Sequence, residues 1–284
     1  MGRITVFDHN HECFTRAKPF ENGAATYSAD IIRYQLHRWE AALPQDMDVT
    51  LYTALPPNRL GFRLPDADLS ITYLHTHPVR DCLAPIRKAQ DYDHASLRVY
   101  VTAYYAYHCA LTAAGYHSAY VPMSIAPMAR REIVPHDKRM IWFGNVYHSK
   151  RQTLDRLRTA CKKAGWKLDV ISRGKFNDRD PVTREHALDI IAQYPYGAGV
   201  GRCAMEMQAM GMKVLIAGDD IGGLIMDEND RQQQIKTNHN ARLATFSRDI
   251  DLCLDTIQHS LQVEPLTGES LHHPALIAAQ LGWP

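Results

Sequence analysis

The sequence lacks the patterns that mark membrane, secreted or disordered proteins. None of its apolar runs approaches the roughly 20 residues that a membrane-spanning helix needs. The first residues enter a predicted strand without the apolar stretch of a signal peptide. No low-complexity tract or short repeat occurs. We therefore expect a cytoplasmic protein with no membrane partner.

Signatures of metal sites, disulfide frameworks and nucleic-acid binding are also missing. The six cysteines are scattered and form no Cys-x-x-Cys pair, which argues against a zinc knuckle. The 15 histidines include two His-x-His pairs, but no His-Glu-x-x-His segment accompanies them. Lysine plus arginine number 32 against 31 for aspartate plus glutamate, so the net charge gives no argument for a nucleic-acid partner.

Short β-branched apolar runs alternate with helical spacing along the chain, a pattern typical of β-α-β units around a parallel sheet. The strands predicted before the middle of the chain are Ile4–Phe7, Val49–Tyr52, Leu69–Leu74, Leu97–Thr102 and Ala119–Pro122. Helical spacing covers Thr26–Leu43 and Tyr104–Ala114. The same alternation restarts at Met140, after a segment with two prolines and little periodicity.

This arrangement predicts an α/β protein with two doubly wound domains. The predicted first domain is 1–126, the linker 127–138 and the second domain 139–262, and 263–284 is predicted to pack back on the first domain. The strands predicted in the second half are Met140–Phe143, Lys167–Ser172 and Lys213–Ala217. The helices predicted there are Gln152–Ala164, Arg184–Gln193, Ala204–Met210, Asn238–Leu261 and 274–281.

A glycine-rich stretch from Tyr196 to Arg202 is the strongest local signal. Its three glycines precede a predicted helix, so the backbone can approach a ligand and the free N–H groups of the helix start can attract phosphate. Arg202 adds a planar donor group suited to phosphate, and Glu206, one turn later, can accept from sugar hydroxyls. Tight packing is the alternative interpretation of the same glycines. The spacing matches neither the Walker pattern nor the dinucleotide-binding fingerprint.

The segment that follows resembles the donor site of a known enzyme family. Glu206-Met207-Gln208-Ala209-Met210-Gly211, then an apolar strand, then Gly222-Gly223, resembles the signature of retaining GT-B glycosyltransferases, the family of sucrose synthase-like and glycogen synthase-like enzymes. The resemblance implies two Rossmann-like domains whose parallel sheets face a central cleft. It also implies transfer of a sugar from a nucleoside-diphosphate sugar, a UDP-sugar first among them, to an acceptor hydroxyl without an essential metal.

The resemblance assigns roles to the residues of this segment. Glu206 would hold the ribose hydroxyls of the donor. The diphosphate would face the glycine-rich backbone at Gly199, Gly201, Arg202 and Cys203. Gly222 and Gly223 would line the far side of the nucleotide sugar.

Further parts of the chain resemble the same family. Gly144 follows a strand where the family has Gly-Arg, but Asn145 replaces the arginine, so Lys150, Arg151 or Arg173 would supply the charge. The loop at Gly23 and Ala24 resembles the one that faces the donor, and His75 or His77 would lie beside the reacting sugar as catalytic groups. The family's first glutamate, eight positions before Glu206, is absent because Ala198 stands there.

The acceptor and the outcome of the reaction stay open. Compact phage enzymes that glycosylate hydroxymethylated DNA bases share this architecture, so a modified DNA base is one candidate acceptor. A carbohydrate, a lipid or another small molecule is equally compatible with the sequence. Two other functions also fit: a nucleotide-sugar-binding module without catalysis, and a sugar-nucleotide epimerase.

Overall fold

The computed structural model describes most of the chain as two α/β units. The described residues are 4–7, 41–43, 46–52, 66–74, 83–84, 86–87, 93–125, 128–129, 138–172, 174–237, 249–266 and 274–281. One unit comprises Met1–Pro122 and Glu269–Pro284, and the other comprises Met123–Gly268. The division therefore falls just after Pro122, four residues before the end of the predicted first domain.

Five parallel strands form the sheet of the first unit. They are β1 (Ile4–Phe7), β2 (Val49–Tyr52), β3 (Leu69–Leu74), β4 (Leu97–Thr102) and β5 (His117–Tyr120), and α1 (Tyr105–Ala113) joins the last two. Every residue of β2 and β3 is buried, as expected for a parallel sheet covered on both faces. The fifth strand begins two residues before the predicted one, because His117 and Ser118 pair with Val99 and Tyr100 of β4.

The strand order of this first sheet differs from the prediction. The strands lie in the order of the chain, β1-β2-β3-β4-β5. A doubly wound sheet needs a reversal of strand order, and the described strands of this unit show none. The predicted helix over 26–43 lies almost wholly outside the described residues, so its place beside the sheet stays a prediction.

Seven strands form the sheet of the second unit, which contains parallel and antiparallel pairs. They are β6 (Arg139–Phe143), β7 (Lys167–Ser172), β8 (Lys175–Phe176), β9 (Asp180–Pro181), β10 (Tyr196–Gly199), β11 (Lys213–Ala217) and β12 (Ile221–Gly223). Their order is β12-β11-β10-β6-β7-β8-β9. The central four are parallel, whereas β12, β8 and β9 are short antiparallel additions at the two edges. The prediction of a wholly parallel sheet was therefore wrong at both edges.

Helices cover both faces of the second sheet. They are α2 (His148–Lys163), α3 (Arg184–Ile191), α4 (Gly201–Ala209), α5 (Glu228–Lys236) and α6 (Ile250–Thr256). Alternate residues of β6 point to opposite faces, so Trp142 packs in the core under α2 and α6, and Ile141 packs in the core under α3 and α4. The result is a three-layer α/β/α unit with an apolar core on each side of the sheet.

Several helix boundaries of this unit differ from the predictions. α2 begins at His148 and α4 at Gly201, both before the predicted starts, since polar and glycine residues in these first turns hide the apolar spacing. α5 was not predicted. Residues 238–248 of the predicted helix over 238–261 lie outside the described residues. The rest contains α6, which begins after Asp249 because its carboxylate accepts from Leu252 N, and a 3₁₀ turn at Ile257–His259.

The last helix, α7 (Pro274–Leu281), belongs to the first unit and packs against β5. It occupies the predicted range. None of the helices within the described ranges has the length and apolar character needed to cross a membrane.

A buried carboxylate ties β7 to the neighbouring hairpin and to the end of α3. Asp169 accepts from Asn177 Nδ2 at 2.8 Å and from the Tyr194 hydroxyl at 2.7 Å, and Lys167 Nζ lies 3.1 Å away. Burial would raise the pKa of this carboxyl, but the hydrogen bonds from Asn177, Tyr194 and Lys167 outweigh it and hold the pKa below its ordinary value. The charged form is therefore the one that stabilises the fold.

Replacing Asp169 by asparagine is expected to lower the free energy of unfolding at pH 7 by about 1 to 3 kcal/mol, because a buried hydrogen-bond network loses an acceptor. A carboxyl with a lowered folded-state pKa contributes stability above its unfolded pKa, and this contribution is lost as pH falls through the folded pKa. The wild type should thus lose more stability than Asp169→Asn between about pH 5 and pH 2. Urea unfolding across that range measures the difference.

The matched control is Asp178→Asn, which neutralises an exposed carboxylate in the same hairpin. It should change stability little at any pH. Equal acid sensitivity of Asp169→Asn and the wild type would contradict the role assigned to the buried carboxylate.

Candidate anion-binding site at the switch point of the second sheet

The strand order of the second sheet reverses between β6 and β10. From β6 the chain passes through α2 to β7 on one side, and it returns through α3 to β10 on the other side. The chain therefore leaves the carboxyl ends of β6 and β10 toward opposite faces of the sheet, to α2 on one face and to α4 on the other. Ligands of open α/β sheets bind at such a position.

Two helices begin at this edge without a side-chain cap. α2 starts after Tyr147 and α4 starts after Val200, and neither N-cap residue accepts a hydrogen bond through its side chain. By contrast, Thr183, Asp227 and Asp249 cap α3, α5 and α6. The uncapped starts leave backbone N–H groups and the positive end of each helix dipole available to an anion.

The three glycines of the sequence signal have two different roles. Gly197 and Gly199 lie in β10, a buried strand, rather than in a loop before the helix. A Cβ atom at Gly197 would lie 2.4 Å from Met207 Sδ, and one at Gly199 would lie 2.7 Å from the Phe143 carbonyl oxygen. Both therefore allow close packing of strand and helix. Gly201 differs, because its φ of 56° starts α4 in the left-handed region.

Three positive side chains act electrostatically on Cys203 in the first turn of α4. Lys150 comes from the first turn of α2, Arg184 from the first residue of α3 and Arg202 from α4 itself. Burial, and then the charge of Glu206, raise the pKa of the Cys203 thiol to about 12, while the three cations act in the opposite direction. The thiol is therefore neutral near pH 7, which argues against a nucleophilic role for Cys203.

Glu206 is the one acidic residue among the side chains that act on Cys203. Its Oε1 atom accepts from Arg202 Nε at 2.7 Å and from an Nη atom of Arg184. Its Oε2 atom is buried and has no hydrogen-bond partner within the described part of the chain. The glutamate is 2% exposed, whereas the side chains of Arg184 and Arg202 are 28% and 30% exposed. The positive groups thus face outward and the carboxylate lies beneath them.

The loop after β6 is fixed to its neighbours by hydrogen bonds. Trp142 Nε1 donates to the Gly144 carbonyl at 3.1 Å, and Val146 N donates to Ser172 Oγ at 3.0 Å. Asn145 donates through Nδ2 to the Tyr147 hydroxyl at 3.2 Å. Lys150 Nζ lies 5.8 Å from the centre of the Tyr147 ring. The loop is therefore held in one conformation beside the Lys150 side chain.

The structure brings together four of the residues predicted for the donor site, namely Lys150, Arg202, Cys203 and Glu206, with Gly201 at the start of the same helix. Gly222 and Gly223 lie in β12, which is separated from β10 by β11. Gly23, Ala24, His75, His77 and Arg173 lie outside the described residues, so their roles stay predictions.

Ala198 explains why the first glutamate of the family signature is missing. It lies within β10, pairs with Trp142 and Leu215, and is fully buried. A single residue, Val200, separates β10 from α4. A carboxylate at position 198 would therefore point into the core under α2 and α6 and not toward a ligand.

Arg184 is the member of the cluster that sequence reasoning missed. It was predicted as the start of a helix and not as a charged group of the site. The sequence did contain an indication of its role, because the helix dipole makes a positive side chain in the first turn of a helix unfavourable. Arg184 and Arg202 both occupy such positions, and two unfavourable cations at helix starts indicate an anion nearby.

The described side chains offer no group of three or more His, Cys, Asp or Glu residues that could hold a metal ion. No protein-family model and no curated protein matches this chain.

Gly199→Ala is expected to destabilise the second unit by about 2 to 3 kcal/mol, because the new methyl group meets a backbone oxygen that cannot move freely. The control is Gly115→Ala, where φ is 81° and nothing lies within 4 Å of the added carbon. It should cost about 1 kcal/mol, from left-handed strain alone. Urea unfolding of both variants compares them, and an equal cost would show that packing does not require Gly199.

Proposed function

We propose that the second unit binds a nucleoside-diphosphate sugar and that the chain is a glycosyltransferase of the GT-B type. A UDP-sugar is the first candidate donor. The observation that carries the proposal is the pair of arginines, Arg184 and Arg202, on one buried carboxylate, together with Lys150 and two uncapped helix starts at the same edge of the sheet. A diphosphate carries the negative charge that this group of donors would bind.

The same group suits the chemistry of sugar transfer. When the bond between the sugar and the diphosphate breaks, negative charge develops on the departing diphosphate. Fixed cations and backbone N–H groups stabilise such charge without reorganising at the moment of reaction. Lys150, Arg202 and the amides at the start of α4 would therefore act on the leaving group, and no metal ion is needed for that role.

Glu206 would bind the ribose of the donor. Its Oε2 atom accepts no hydrogen bond from the described residues, and the hydroxyl groups of a ribose could donate to it. An unsatisfied buried carboxylate oxygen costs free energy, so a ligand hydroxyl that reached it would gain a charge-assisted hydrogen bond. The order glutamate, apolar strand and glycine pair, which resembles the retaining glycosyltransferases, supports the same assignment.

The acceptor side of the reaction is proposed from the resemblance alone. His75 or His77 would lie near the reacting sugar, and the acceptor would be a hydroxyl of a modified DNA base, a carbohydrate or another small molecule. Retention of configuration at the sugar is likewise part of the proposal.

A nucleotide-sugar-binding module without catalysis is the second candidate function. The burial of Ala198 favours it, because the position that carries a sugar-binding carboxylate in the related enzymes cannot serve that purpose here. Both candidates require nucleotide binding, and they differ in whether the donor is consumed.

The test of donor binding is a thermal-shift panel of UDP-, GDP- and ADP-sugars, because a ligand that binds only the folded state raises Tm by mass action. One of them should stabilise the wild type. Lys150→Gln should weaken the binding of that donor about tenfold, the equivalent of one charge-assisted hydrogen bond. The control is Lys162→Gln, which removes an exposed lysine at the other end of α2.

Stabilisation by none of the nucleotide sugars, or an equal effect of the two lysine variants, would overturn the proposed site. If a donor binds, its turnover separates the candidates. A transferase releases nucleoside diphosphate when acceptor is added, an epimerase forms an isomer without acceptor, and a binding module leaves the donor unchanged.

A further inference from the structure

The two arginines of the candidate site share a single carboxylate oxygen. Arg184 and Arg202 both donate to Glu206 Oε1, while Oε2 receives nothing from the described residues. A bidentate pair would use both oxygens for one guanidinium group. Here two guanidinium groups compete for the same acceptor.

The charges of the site are close together. The guanidinium groups of Arg184 and Arg202 both contact one buried carboxylate, and Lys150 is a third cation that acts on the same thiol as these two. Arg184 and Arg202 also lie in the first turns of α3 and α4, where the helix dipole opposes a cation. The side chains of both arginines remain partly exposed, so an anion from solution can reach them.

We infer that Glu206 is an internal competitor for the ligand's phosphate groups. Without ligand it holds the guanidinium groups of Arg184 and Arg202. A diphosphate draws them away, and the carboxylate they leave becomes an acceptor for the ribose hydroxyls. Arg184 is thereby a ligand-binding residue of this site.

The exchange predicts a specific coupling between the two parts of a nucleotide. When phosphate groups bind, the arginine–glutamate contacts break, which lowers the binding free energy of the phosphates. A nucleoside offsets this loss because its ribose donates hydrogen bonds to the freed carboxylate. The phosphate and nucleoside parts therefore assist each other, because each favours the same rearranged state of the site. Inorganic pyrophosphate breaks the same contacts, but it has no ribose that could donate hydrogen bonds to Glu206.

Glu206→Gln tests this competition with pyrophosphate as the probe, measured by titration calorimetry beside UDP. Removing the competing charge raises the fraction of protein whose arginines are available, so pyrophosphate should bind about three- to tenfold more tightly than to the wild type. The preference for UDP over pyrophosphate should shrink in the same variant. Arg184→Gln should instead weaken pyrophosphate binding about tenfold, the loss of one charge-assisted contact.

The matched control is Glu228→Gln, which removes the same charge from another arginine–glutamate pair, Arg231–Glu228 on α5. It should leave the pyrophosphate affinity within about twofold of the wild type, the scatter expected of a distant, independent site. Circular dichroism checks that each variant is folded. If Glu206→Gln does not fold, the Arg184→Gln measurement alone decides the matter.

The outcomes separate this inference from the function on which it rests. Unchanged or weaker pyrophosphate binding by folded Glu206→Gln, with UDP still bound by the wild type, would overturn the competition and leave the proposed nucleotide site standing. An unaltered pyrophosphate affinity of Arg184→Gln would also overturn it. If the wild type binds neither pyrophosphate nor UDP, the competition and the proposed function fail together.

Discussion

The arrangement of the second unit depends on positive charge concentrated at one edge of its sheet. Lys150, Arg184 and Arg202 come from three different helices, yet all act on one thiol at the start of α4. Strand direction makes this possible, because β6, β9 and β10 run in the same direction, so the helices that follow them, α2, α3 and α4, all begin at the carboxyl edge of the sheet. Like charges repel, and a single buried carboxylate, Glu206, holds two of them together. The fold thus holds two arginines on one carboxylate at the edge of the sheet where α/β proteins commonly bind ligands.

The glycines of β10 determine how near this charge lies to the sheet. Without side chains at Gly197 and Gly199, α4 packs directly over the strand, with Met207 filling the space. That close approach sets the position of the first two turns of α4, including Arg202, Cys203 and Glu206. Packing and ligand binding, which were alternative interpretations of the glycine-rich stretch, are therefore linked. The inner glycines fix the helix, and Gly201 begins the turn that faces the candidate site.

Elements whose own residues determine their structure were predicted well, and elements held in place by their neighbours were not. Strands such as Leu69–Leu74 were predicted to the residue, because a fully buried parallel strand is a continuous apolar run. β10 was not predicted, since glycine has little strand propensity and Tyr196–Gly199 is held in place by pairing with β6 and β11. The charged cluster was predicted in part. Arg202 and Glu206 stood out beside the glycine-rich stretch, and Lys150 was assigned through the resemblance. The proximity of Arg184 to Glu206 depends on tertiary structure, because the two residues are 22 apart in the sequence.

The difference between the two sheets bears on where chemistry can occur. The first sheet runs in chain order through its described strands, so it presents no reversal at which loops diverge. The second sheet reverses between β6 and β10, and two uncapped helix starts and the arginine pair lie at that edge. The topology places the helix starts there, and the sequence adds the charged side chains. The topology does not by itself explain the charges at this edge, because two arginines held on one buried carboxylate give an unliganded protein little net stability.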